Sequence, residues 1–454
     1  FIEEQMQPKT SAHQLAARFS ALTLNQIDAQ SRIAVKRLLM DYLGVALAGS
    51  QSESGKIARR FAKEHGAKPQ ARLIGDSARV DINAAAFANA ISSHSIELDD
   101  IDVLALFHFS PPVFSAALAV AEYTGANGKQ LLTALAAGCE MMERVSKSTN
   151  PSLRNRGFHT TPTCGTFGAT VAAGKLLRLS TDKLVSALGL AGAQASGLME
   201  MYGPSMQKRF NPGPAARNGV TAARMAQLGF TGADTIFEGE RGFLRTFSDA
   251  TEPSALTQDL GKGYELLIEF KPYSCARPIH NAIDCALDAR AQSGFNVANV
   301  EAIHVARHPD WARYHQNKAP RTYHEAQVSL PFSVAVAMIE GKALLKQYSD
   351  RNLRNPQVKR LMESVTISED AALPRGVSCK MTVTLRGGSA LQSQVDFPKG
   401  SVQNPMSVSE MHAKFESLAG PVIGAKRAAS LAEQVMDLEA VSDVAALLKM
   451  TAAR

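Results

Sequence analysis

A mostly helical fold with a smaller α+β portion is the class this sequence predicts. Three observations lead there. Apolar and small residues recur at helical spacing from about Ser11 to Ala250. Alternating, β-branched segments appear only after His280. Helical spacing returns from Ser407 to Leu448, behind the pattern Ser407-Val408-Ser409-Glu410, which resembles a capping box. The chain therefore divides into a helical stretch over residues 1–275, an α+β stretch over 276–405 and terminal helices within 406–454. At 454 residues it is long enough for two domains, each with its own core.

Taken in order, Leu38, Leu39, Tyr42, Leu43, Val45 and Ala46 give helical spacing before a break at Gly49-Ser50. Pro112–Tyr123 is an apolar helix stopped by Thr124-Gly125. Gly165–Leu179 carries small residues on nearly every turn. It ends at Ser180-Thr181-Asp182, a cluster suited to cap the next helix, Lys183–Ala193. Gly213–Leu228 closes at Gly229. Helices this rich in Ala and Gly approach one another closely, which predicts a large bundle. Further on, Val300–Arg307 and Val365–Ser368 read as strands. Lys380–Arg386, Gly387-Gly388 and Leu391–Val395 read as a β-hairpin. His280 opens an apolar helix, and one more helix, from about Glu325 to Ile339, interrupts the strands.

Composition narrows the function. The net charge of +7 is modest for this length, and basic residues are interspersed with acids, so no nucleic-acid stripe forms. That charge is compatible with an anionic substrate. No apolar run approaches the length of a membrane span. The five cysteines make no CxxC pair and are odd in number, which suits free thiols in a reducing compartment. The N-terminus lacks a secretory pattern, and a cytoplasmic location is expected.

Four segments carry residues suited to chemistry. Lys271-Pro272-Tyr273-Ser274-Cys275-Ala276-Arg277-Pro278-Ile279-His280 places five functional side chains on a stretch stiffened by two prolines. Cys275 reads as a small buried thiol, and His280 as a site group or a helix cap. His94-Ser95-Ile96-Glu97-Leu98-Asp99-Asp100-Ile101-Asp102, followed by His108, crowds four carboxylates. It reads either as a solvated acidic helix end or as acids that orient a histidine or a substrate. It has neither calcium-loop nor zinc-site spacing. Arg154 to Gly165 sets Arg, His159 and three threonines before a small-residue helix. The ring and hydroxyls there either cap that helix or line an anion site at its N-terminus. Gly203 to Gly213 holds Lys208 in a Gly/Pro loop that is not a P-loop, so Lys208 is either an ordinary surface lysine or a carboxylate holder.

In order along the chain, these segments resemble the MmgE/PrpD family, which includes 2-methylcitrate dehydratase, cis-aconitate decarboxylase and iminodisuccinate epimerase. His94 through Asp100 resembles H-x-x-D-F-D-D-T. His108-Phe109-Ser110-Pro111-Pro112-Val113 with Ala116 to Ala119 resembles H-P-x-x-x-V…A-A-L-A. Arg156 to Thr161 resembles R-G-F-H-P-T. Gly229-Phe230-Thr231-Gly232 with Phe237-Glu238-Gly239 resembles G-F-T-G…L-E-G. Lys271 through His280 resembles K-P-Y-P-x-C-x-x-x-H. Glu97 stands where the family usually has Asp, Ile101 where it often has Thr, and Phe109 where it usually has Pro.

The resemblance implies a large helical domain, completed by the last helices, and an α+β lid, with the active site in the cleft between them. It implies a homodimer that needs no metal or organic cofactor and acts on a small anionic di- or tricarboxylate. By position it places the site on Glu97, Ile101, His108, His159, Lys208 and His280. The chemistry is proton transfer at carbon next to a carboxylate, with dehydration set ahead of epimerisation and decarboxylation. A non-catalytic helical binding protein is the alternative of a different class. His108 and His159 are expected as the acid/base pair. Lys208 and Arg277 are expected to hold carboxylates, Tyr273 to contact substrate, His280 to complete the site from the lid, and Glu97 to orient a histidine.

Overall fold

The computed structural model describes residues 9–65, 68–102, 107–201, 205–262 and 266–453. Two large clusters of buried apolar side chains, and a small one of Val45, Ile96, Leu98 and Leu418, organise them. The first draws on helices from Ser11–Ala21 through Pro212–Gln227, and again on Val408–Ile423, Ala425–Met436 and Val444–Lys449. The second is built from residues between Tyr273 and Leu385.

The helical part is held by very close contacts. Gly128–Thr149 packs on Thr160–Leu176, which also packs on Pro212–Gln227. A Cβ added at Gly138 would lie 2.8 Å from the carbonyl oxygen of Gly168, so a side chain there would push the two helices apart. Caps set the helix starts. The Ser407 and Glu410 capping box is present, and Ser180 accepts from the Lys183 amide. Helix Thr160–Leu176 starts five residues before the Gly165 expected from the small-residue run, because His159 takes the N-cap position.

Among the described residues, two short strands, β1 (Ala71–Arg72) and β2 (Arg79–Val80), pair antiparallel within the helical part. At two residues each they carry no periodic signal. The larger sheet contains β3 (Val300–Arg307), β4 (Val365–Glu369), β5 (Cys379–Leu385) and β6 (Ala390–Val395), in the order β4-β3-β5-β6. Strands β3 and β4 run parallel, while β3–β5 and β5–β6 are antiparallel. Helix His280–Ala291 covers β5 and β6. The helix expected over Glu325–Ile339 is in fact two, Tyr323–Ala326 and Leu330–Glu340. Ser329 caps the second, and Pro331 in its first turn cannot continue the first. Gln327 sits at the break and bonds to Arg209 and to the Ile96 carbonyl.

Candidate active site

The loop after helix Ile82–Ser93 is buried, not solvated. Glu97 and Asp99 are each 1 % exposed, and Asp100 and Asp102 are buried beside them. This overturns the reading of a solvated helix end. Glu97, Asp99 and Asp100 coexist there because each finds cations or donors. Asp100 accepts from the amides of Phe109 (2.7 Å) and Ser110 (3.2 Å), at the start of helix Ser110–Thr124. Groups beside the second apolar core grip the same loop. Gln327 Nε2 and Ser274 Oγ both donate to the Ile96 carbonyl, at 2.9 and 2.7 Å.

Glu97 was expected to orient a histidine. It pairs instead with Lys208 and Arg209, and its Oε2 lies 3.2 Å from Lys271 Nζ. Burial would raise its carboxyl, but these three cations outweigh burial and hold it well below the usual carboxylate range. Burial lowers the Lys208 ammonium to about 8, against the pull of Glu97. Lys208 is therefore not an ordinary surface lysine. Arg209 also donates to Gln327 Oε1 at 3.1 Å, tying the cation cluster to the α+β part.

Asp99 is the carboxylate that orients histidines. Its Oδ2 lies 2.6 Å from His94 Nδ1 and 3.0 Å from His108 Nδ1. Burial acts to raise Asp99, but His108, His94 and Lys271 hold it well below its ordinary value. His108 Nδ1 also donates to the Asp100 carbonyl, at 2.5 Å. A carbonyl only accepts, so in the neutral ring Nδ1 carries the proton and Nε2 the lone pair. His159 is the opposite tautomer. Asn211 Nδ2 donates to its Nδ1 at 3.0 Å, which leaves the proton on Nε2. Burial, with His94 and His108 nearby, lowers His159 well below the ordinary imidazole value, so the ring is neutral. The His94 ring centroid lies 4.9 Å from that of His108 and 6.4 Å from that of His159. Burial lowers His94 to about 4.

A cavity of about 510 Å³ opens onto these groups. It is lined by Glu97, His108, His159, Lys208, Lys271 and Arg277, with Ile101 and Arg154. Met199, Leu267, Trp311 and Val402 add apolar surface. Three of the four groups expected to converge, His108, His159 and Lys208, line it together. His280 does not. It is fully buried, its Nδ1 lies 3.0 Å from Arg277 Nη1, and its Nε2 lies 3.2 Å from the Cys275 carbonyl. It thus stands behind Arg277 as a support. Tyr273 is likewise off the cavity, with its hydroxyl donating to Asp284. Arg277 lines the cavity but is paired to Glu269, 2.8 Å away. Cys275 is buried.

The donor atoms of His94, Asp99 and His108 all lie within 4.8 Å of one another, close enough for a metal ion. Direct hydrogen bonds among these groups account for that closeness. Sequence reasoning left His94, Asp99, Arg209, Lys271 and Gln327 unassigned. His94, Asp99 and Lys271 lay inside the motifs already marked, and Arg209 directly follows Lys208. Gln327 gave no signal, because the helix break beside it was not foreseen.

Buried carboxylates, oriented imidazoles and a cation cluster around one cavity define an enzyme site. The MmgE/PrpD N-terminal domain matches residues 13–256, and the MmgE/PrpD C-terminal domain matches residues 273–439. The chain belongs to the MmgE/PrpD family. It is 28% identical over 446 residues to the cis-aconitate decarboxylase-like protein oryM of Aspergillus oryzae, covering 91% of this chain and 92% of that protein. To the cis-aconitate decarboxylase of Homo sapiens it is 26% identical over 435 residues, 91% and 88% of the two chains. The 2-methylcitrate dehydratase of Cupriavidus necator is 23% identical over 268 residues, 51% of each chain. These relatives are named as decarboxylases and a dehydratase, and the chain is an enzyme, a lyase or a related kind. Among the described residues, no helix is long and apolar enough to cross a membrane.

Proposed function

We propose that the protein is a lyase acting on a small tricarboxylate without an organic cofactor, and that its reaction is decarboxylation of a cis-aconitate-like substrate. The observation that carries this reading is one cavity lined by Lys208, Lys271 and Arg277 together with His108 and His159. Cations fix the carboxylates and draw off developing negative charge, and imidazoles move the proton. The C–CO₂ bond breaks, and its electron pair enters a new double bond. The former double bond takes a proton at carbon from the histidine pair. Solvent replaces that proton, one per turnover. The relatives that match most of this chain are named as decarboxylases, which puts this step ahead of the dehydration expected from sequence.

Dehydration of a 2-methylcitrate-like substrate is the second reading, favoured by the tautomers. His108 offers a lone pair to remove a proton next to a carboxylate. His159 offers an N–H to a departing hydroxyl. Each candidate substrate is incubated in deuterated water and followed by NMR. Carbon dioxide and a deuterated product from cis-aconitate support the first reading. Water loss from 2-methylcitrate supports the second. Neither turnover nor deuterium exchange with either substrate overturns both.

A further inference from the structure

We infer that His315 is a further catalytic residue of this site, whose Nε2 takes up a proton as the substrate binds and then donates it in a hydrogen bond to a substrate carboxylate. The inference rests on the tricarboxylate reading above. His315 lines the cavity from the α+β side. Its backbone is left-handed, with φ of 65°. Among the described residues, four other than glycine have positive φ, namely Glu97, Arg178, Asp259 and His315. Two of the four line this one cavity. Strained backbone of this sort persists where the surroundings enforce it, and it gathers at sites that need a side chain aimed.

The surroundings do enforce it. The Leu330 amide donates to the His315 carbonyl at 2.9 Å, from the start of helix Leu330–Glu340. His315 Nδ1 lies 3.2 Å from the Val328 carbonyl. That oxygen can only accept, so Nδ1 carries the proton and Nε2 bears the lone pair. The charged groups that act on the ring are Arg307 on β3, Lys208 and Glu97. Burial first, then Arg307, hold the free ring neutral, at about 4. An arriving tricarboxylate reverses that balance by placing negative charge in the same cavity. The proton comes from solvent, adds to Nε2 without breaking any substrate bond, and returns to solvent when product leaves. His315 thus holds the lid-side position that the sequence had led us to expect of His280.

The test uses tricarballylate, a saturated tricarboxylate with no double bond or hydroxyl to react. Its binding is measured by titration calorimetry near neutral pH in two buffers of different ionisation enthalpy, for wild type, His315→Asn and His315→Gly. Asn tolerates left-handed backbone and keeps an N–H for Val328, while Gly removes the backbone strain. Both lose Nε2. The expected result is proton uptake lower by roughly one in each variant, with affinity weakened about 10- to 100-fold. A glycine variant that melts no lower than wild type rules out misfolding as the cause. Wild-type affinity and proton uptake in either variant overturn the inference while leaving the tricarboxylate reading intact. A wild-type protein that does not bind tricarballylate overturns that reading, and this inference with it.

Discussion

Glu97 and Asp99 sit two residues apart on one buried loop, equally shut off from solvent, and both are held ionised. Their partners differ. Glu97 meets Lys208, Arg209 and Lys271, two lysines and an arginine, whose charge exceeds its own. Asp99 meets two imidazoles, His94 and His108. The first grouping is a net positive patch that can hold an anion. The second fixes ring orientation and balances a ring that gains a proton. Lys271 touches both, 3.2 Å from Glu97 and 3.8 Å from Asp99. The same desolvation therefore yields a binding device at one position and a proton-transfer device at the other. What differs is the chemistry of the counter-charge, not the depth of burial.

The largest effect should come from the proton-transfer side. His108→Ala should lower turnover of the true substrate by about two to four orders of magnitude, measured by initial rates. Turnover within a factor of about three of wild type would remove His108 from the chemistry. On the other side, Glu97→Gln leaves Lys208, Arg209 and Lys271 buried without their counter-charge. Urea unfolding should show a loss of about 3–5 kcal/mol. Asp99→Asn should cost less, about 1–3 kcal/mol, because its two nearest partners are imidazole rings rather than lysine and arginine side chains. Equal losses for the two variants would erase the distinction.

Acid should weaken the fold through both groups. Glu97 and Asp99 have folded values below their ordinary ones, so their contribution is full above the carboxylate range and is lost as pH falls through the depressed values. His94 and His159 are neutral when folded and take up protons more readily when unfolded. Their share is present above the ordinary imidazole value of 6.5 and falls away as pH drops, for His94 toward about 4. Urea midpoints should therefore decline steadily from pH 7 to pH 5, and a flat profile would contradict the buried neutral rings. The smallest effect concerns Lys208, lowered to about 8 by burial. KM should rise above that pH by at most about tenfold per unit, and Lys208→Arg should flatten the rise. An unchanged slope in that variant would assign the pH dependence elsewhere.

Much of the fold was legible because it rests on local rules. Strand β3 occupies Val300–Arg307 as alternation predicted, and the hairpin turns at Gly387-Gly388, both with positive φ. The Pro112–Tyr123 helix stops where expected, with Gly125 left-handed at its end. Less legible were the pairs Glu97–Lys208, separated by 111 residues, and Glu97–Lys271, separated by 174. A run of acids looks the same in sequence whether water or a distant lysine neutralises it. His280 and Tyr273 show the converse: both lie in a motif that borders the cavity, yet packing turns them behind Arg277 or toward Asp284.

The sequence by itself determined the family, the order of helices and strands, and the stretches from which the site is drawn, because periodicity, caps and motifs are written over a few neighbouring residues. Only the tertiary structure decided which acid meets a lysine and which a histidine, which ring nitrogen of His108 and of His159 carries the proton, and which groups reach the cavity. Those outcomes depend on carbonyls, amides and cations brought in from elements far apart in the chain. They are settled by desolvation and direct hydrogen bonds, which exist only once the helical and α+β parts have closed on the same loop.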